Sequence, residues 1–92
     1  MAKSLGQILT ELLQRNGLTH RVKQFEVINA WPEVAGSTVA HISKAADVRD
    51  GVLYVEVVNG VWRNELFYLK PELVQKLNRH VGQKVIHDIH LV

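Results

Sequence analysis

The feature that most constrains the fold is a change of hydrophobic period in the middle of the chain. In Val52-Leu53-Tyr54-Val55-Glu56-Val57-Val58, the apolar residues Leu53, Val55 and Val57 alternate with Tyr54 and Glu56. That two-residue repeat belongs to a strand with one buried face. Arg49-Asp50-Gly51 precedes it as a turn signal, because Gly accepts a positive φ. Ala45 to Val48 supplies a weaker first strand, so the region reads as a hairpin that Asn59-Gly60 ends. The period then lengthens. Trp62, Leu66, Leu69, Leu73 and Leu77 recur at intervals of 4, 3, 4 and 4, the stripe of an amphipathic helix. Pro71 removes one amide donor inside this stripe, but the phase is kept across it, which predicts a kink in a single helix. Gly82 supplies a stop, and Val85 to Leu91 reads as a last strand. A helix between two strands lets that last strand return beside the hairpin.

The N-terminal third is helical in pattern. Ser4 and Gln7 match the S-x-x-Q capping box. Leu5, Ile8, Leu9, Leu12 and Leu13 follow with helical spacing, and Glu11 and Arg15 form an i,i+4 pair. Asn16-Gly17 is a stop, which places the first helix at about residues 5–15. Thr19 is a plausible cap for a second helix, in which Val22, Phe25, Ile28 and Trp31 recur about one turn apart. Pro32 disfavours helical geometry at Trp31 and suits the first position of a short third segment from Pro32 through Val39. The expectation is an α+β domain in the order helix, helix, strand, strand, helix, strand. Its three-stranded sheet carries the helices on one face.

Composition narrows the function classes. A chain of 92 residues is one domain by length, here taken as residues 1–92, and its core is thin. At 47% hydrophobic residues it is too apolar for a disordered segment. The net charge of +2, from 11 basic and 9 acidic residues, permits nucleic-acid binding without demanding it. The sequence has no cysteine, so disulfides and thiolate metal sites are excluded, in keeping with a reducing cytosol. Met1-Ala2-Lys3-Ser4 lacks the apolar core of a signal peptide, and no apolar run approaches the ~20 residues of a membrane span. The expected location is the cytoplasm.

Five segments resemble one family. Trp31-Pro32-Glu33-Val34-Ala35-Gly36 is similar to the W-x-x-V-x-G signature of the DciA family, long regarded as a domain of unknown function and guessed to bind RNA. Asp50-Gly51-Val52-Leu53-Tyr54-Val55 resembles its D-G-x-L-x-V hairpin, and Trp62 to Leu66 its W-x-x-E-L motif. Leu73 to Asn78 with Gly82 resembles its L-x-x-x-L-N…G segment, and Ile89-His90-Leu91 fills its closing strand with Leu in the aromatic place. The resemblance covers nearly the whole chain. It does not extend to the basic disordered tail that many members carry. It implies a KH-like fold and a non-enzymatic role with the replicative DNA helicase on single-stranded DNA. The alternative is a KH-like DNA- or RNA-binding module with no helicase role.

The candidate residues follow from residue type. Trp31 and Trp62 are either caps of a thin core or anchors for a partner. Arg21 and Lys23, in His20-Arg21-Val22-Lys23, are the densest basic group, and Arg63 and Lys70 lie seven apart on one helix. All four are candidate phosphate contacts, or else part of a solvated helix face. His87 and His90, three apart in the last expected strand, should point to opposite faces and make no metal pair. His80 suits a helix C-terminus. No nucleophile elbow surrounds Ser4, Ser37 or Ser43, and no glycine-rich phosphate loop is present. None of the six glycines is three residues from another, so the G-x-x-G clamp of a nucleic-acid-binding KH domain is missing. No enzymatic site, metal or cofactor is expected.

Overall fold

The computed structural model describes residues 2–15 and 17–92, and side chains throughout these except at 13–15. The first helix, α1, is Leu5–Arg15. Its start is closed by the capping box read from the sequence. The Ser4 amide donates to Gln7 Oε1 at 2.9 Å, and the Gln7 amide donates to Ser4 Oγ at 3.2 Å. Asn16, half of the expected stop, lies outside the described residues, but Gly17 has the left-handed φ of 69°. Glu11 bonds Lys3 at 2.6 Å, and the side chain of its expected partner Arg15 lies outside the described set.

Helix α2 is Leu18–Ala35, longer than expected at both ends. Gly17, not Thr19, occupies the cap position, and the Thr19 hydroxyl is buried with no partner among the described residues. Pro32 lies inside α2 and does not open a third helix. The cost is one lost amide bond, which a helix pinned by the buried Val27, Ala30 and Trp31 absorbs. Gly36, with φ of 93°, makes the break instead, and the third helix, α3, is Ser37–Ile42.

Strand β1, Ser43–Arg49, pairs antiparallel with β2, Val52–Val57. The two residues between them, Asp50 and Gly51, have φ of 52° and 75°. Positive φ at both central positions is the type I′ hairpin turn, whose twist matches that of the strands. A bulge between Ala45 and Asp47 shifts the register. The next helix, α4, is Gly60–Val81, continuous through Pro71. Asn59 caps it by accepting the Trp62 amide at 3.0 Å. At its far end the Gly82 and Gln83 amides donate to the carbonyls of Arg79 and Asn78 at 3.2 and 3.1 Å. These are the paired bonds of a Schellman stop. Strand β3, Asp88–Leu91, then pairs parallel with β2, so β2 is the central strand and β3 an edge. The parallel pairing needs the crossover that α4 provides.

The fold is therefore α+β as expected, with a mixed three-stranded sheet, and the short third segment expected at Pro32–Val39 is the helix Ser37–Ile42. The core lies between the sheet and the helices. Leu53, Val55 and Val57 of β2 meet Val27, Ala30 and Trp31 of α2 and Leu66, Leu73 and Leu77 of α4. Two sequence stripes are displaced. On α4, Leu69 is 42% exposed, and Val81 joins the buried face. At 100° per residue Leu69 sits about 80° from the centre of that face, outside its reach. On α2, Val22 and Phe25 are exposed, and the buried positions are Val27, Ala30 and Trp31. The 18-residue helix, roughly 27 Å long, overhangs a sheet whose strands span about 20 Å. The molecule is elongated, 59 by 22 by 18 Å. No described helix is long and apolar enough to cross a membrane.

Candidate functional site

Trp31 is 1% exposed, and its indole N–H donates to Ser43 Oγ at 2.9 Å, which in turn donates to the Val39 carbonyl. Its polar edge is satisfied inside the protein, so it sets the junction of α2, α3 and β1 and presents nothing to a partner. Trp62 is half-buried against the core and keeps part of its surface.

The four basic residues singled out in the sequence are spread over the molecule. Lys23 lies at the C-terminus of α4, where its ammonium donates to the Val81 carbonyl at 3.1 Å and pairs with Glu26 at 3.1 Å. There it neutralises the negative end of the helix. Arg63, near the other end of α4, donates to the Val57 carbonyl at 3.3 Å. The 18 residues from Arg63 to Val81 put these two cations roughly 27 Å apart along the axis. Lys70, between them, pairs with Asp88 of β3 at 3.2 Å. Arg21 lines a separate hollow, with His20 and Arg49 beside the hairpin turn. The four cations thus do not converge on one face.

The histidines fall elsewhere than the strand pattern implied. β3 begins at Asp88, so His87 precedes it. The His87 Nε2–H donates to the Asp50 carbonyl at 3.0 Å, and its ring lies over Gly51. His90 meets Tyr54 edge to face on the open side of the sheet, where Arg49 also covers the Tyr54 ring. Among the described residues no group of three His, Asp or Glu side chains could hold a metal ion.

Two surface features were not singled out in the sequence. The first is apolar. Leu5, Ile8, Leu9 and Leu12 on α1, with Leu18, Val22 and Phe25 on α2, are all at least 42% exposed. The sequence shows this stripe plainly, but a stripe alone does not say whether the chain covers it. The second is a groove of about 910 Å³ between α4 and residues 84–88. Phe67, Pro71, Val74 and Ile86 form its apolar surface, and Lys70, Arg79 and Lys84 stand around it. Asp88 is its one carboxylate, and that group is engaged. Its Oδ1 accepts from the Ile89 amide at 2.8 Å and from Lys70. Partial burial pushes the Asp88 pKa up, but the Ile89 amide and the Lys70 ammonium outweigh it and hold the carboxyl below its ordinary value.

Residues 4–91 match the family model described as Dna[CI] antecedent, DciA. The chain belongs to the DciA family. Among its relatives is a UPF0232 protein of Bifidobacterium longum, 30% identical over 87 residues, which covers 95% of this chain and 56% of that protein. A UPF0232 protein of Mycobacterium tuberculosis strain H37Rv is 28% identical over 87 residues, covering 95% and 46%. One of Corynebacterium glutamicum is 23% identical over 90 residues, covering 98% and 51%. The chain thus spans about half the length of these relatives. The DciA match accounts for motifs that the fold explains physically. The W-x-x-V-x-G segment carries the buried Trp31 and the α2–α3 break at Gly36, and the D-G pair is the hairpin turn.

Proposed function

We propose that this DciA domain is a non-enzymatic adaptor that binds the replicative DNA helicase and assists its loading onto single-stranded DNA. The observation that carries the reading is the family match along residues 4–91, since the DciA family is associated with helicase loading. An adaptor works through surfaces, and the exposed features of this fold suit that work. The exposed apolar side chains on α1 and α2 are of the kind that protein partners cover. A cationic groove on α4 lies apart from them. Of the two tryptophans, Trp62 is the one with surface left for a partner.

The test is direct binding of the purified chain to the cognate replicative helicase, followed by retention of that helicase on a single-stranded oligonucleotide. The expected result is a stable complex and more helicase held on the strand when the chain is present. A chain that forms no complex with the helicase by size-exclusion chromatography overturns the reading. The groove favours a second reading, a DNA- or RNA-binding module with no helicase role. Binding to single strands without helicase capture would select it.

A further inference from the structure

We infer that the groove between α4 and residues 84–88 is a binding site for single-stranded nucleic acid, with Phe67 as its stacking surface and Arg79 and Lys84 as its phosphate contacts. The site deepens the proposed function, because it rests on the reading that this domain works at a single strand.

Charge is the first argument. Three cations and one carboxylate line the groove, leaving two net positive charges, as many as the whole chain carries. The carboxylates of α4 itself lie away from it. Neither Glu65 nor Glu72 lines it, and Glu72 is paired with Lys76 at 3.0 Å. The cations also differ in availability. Lys70 is neutralised by Asp88, whereas Arg79 and Lys84 have no carboxylate partner among the described residues. The two unpaired cations are the ones free to take phosphates.

Shape and chemistry are the second argument. Phe67 is 58% exposed, with the Lys70 ammonium 5.1 Å from its ring centroid. The ammonium lies over the ring and Tyr68 meets it edge to face. Yet more than half of Phe67 stays open, and beside the Val74 and Ile86 lining it offers surface for a base with charges for its backbone. A purely acidic peptide would use the charges and leave the ring without a counterpart. The walls are also firmly built. The Asn78 side chain bonds Val85 and Ile86, which fixes the 84–88 wall against α4.

The experiment uses fluorescence anisotropy of a labelled single-stranded oligonucleotide across a salt series. The variants are Arg79→Gln with Lys84→Gln, Phe67→Ala, and Lys44→Gln on the opposite side of the sheet as a control. Each lies at an exposed position, and circular dichroism checks the fold. The double variant should bind at least about ten-fold more weakly, and its salt slope should flatten by roughly 1.4 units, 0.7 for each lost contact to a single strand. Phe67→Ala should weaken binding by roughly five-fold or more, the range for one stacked base. The site is overturned if the double variant binds and responds to salt as the parent does, or loses no more than the Lys44 control. It is also overturned if a poly-glutamate peptide competes as well as the oligonucleotide. Helicase capture by the same variants separates the two readings. Capture retained with strand binding lost supports the site. A parent that captures no helicase, while strand binding still maps to Arg79, Lys84 and Phe67, overturns the loader reading and leaves the site standing.

Discussion

The Asn78 carboxamide holds Ile86 from both sides, accepting its amide at 3.1 Å and donating to its carbonyl at 2.8 Å. The same oxygen accepts the Val85 amide at 2.9 Å. Val85 and Ile86 are buried but pair with no strand, so one side chain on α4 does for them what a neighbouring strand would. Asn78→Ala leaves two amides and a carbonyl without protein partners in a part-buried place at the groove wall. The expected loss is about 2–3 kcal/mol in urea unfolding. A loss under about half a kcal/mol would mean that water replaces the carboxamide freely.

The hairpin turn is held to glycine twice over. Gly51 has φ of 75°, and a Cβ placed there would lie 2.5 Å from His87 Cδ2. Gly51→Ala should cost at least about 1–2 kcal/mol from the left-handed backbone alone, with the collision added. His87→Ala in the same background should recover the collision part and leave the backbone part. If the double variant is as unstable as Gly51→Ala, the ring is not the obstacle.

The sequence carried most of the elements and less of their placement. Local chemistry was legible where one residue decides it, as with the Ser4 and Gln7 box, the Asp50-Gly51 turn and the Gly82 stop. The β2 alternation named Leu53, Val55 and Val57 correctly, because a strand has only two faces to choose between. The helices were harder. Ile28 and Trp31 fit two phases of α2, and packing against α4 and β1 selects the one with Val27 and Ala30. The start of β3 was read too early because Val85 and Ile86 look like strand residues. Their partner is an Asn side chain seven and eight residues back, which no period reveals. The groove was invisible for a related reason. Phe67, Arg79 and Lys84 share no spacing and meet only when Gly82 turns the chain back along α4.

The phase of α4 can be checked with a pair of substitutions. Leu66 is 1% exposed and Leu69 is 42% exposed, although both belong to the sequence stripe. Leu66→Ala should cost about 2–5 kcal/mol, enough to unfold a domain this small. Leu69→Ala should cost clearly less, about 1 kcal/mol, since 42% of its surface already stays in water and the side chain lies off the buried face. Equal costs would place Leu69 in the core and contradict the helix orientation.

Acid should weaken the tie between α4 and β3. Asp88 has its carboxyl pKa lowered in the folded state, because the Ile89 amide and the Lys70 ammonium outweigh burial. A group with a lowered folded pKa contributes stability that is complete above its unfolded value and fades as pH falls through the folded one. The unfolded value for Asp is about 3.9, so the loss should begin near there and deepen below it. The side chain is 51% exposed, so the effect is modest and weaker in high salt. Thermal unfolding of the parent and of Asp88→Asn, followed between about pH 6 and pH 2.5, isolates this carboxylate from the others. The parent should melt higher at the neutral end, and the gap should close as the solution is acidified. A gap that stays constant across the range would show that Asp88 contributes through shape or hydrogen bonding alone. Lys70→Met should close the gap only in part, because the Ile89 amide still favours the ionised carboxylate.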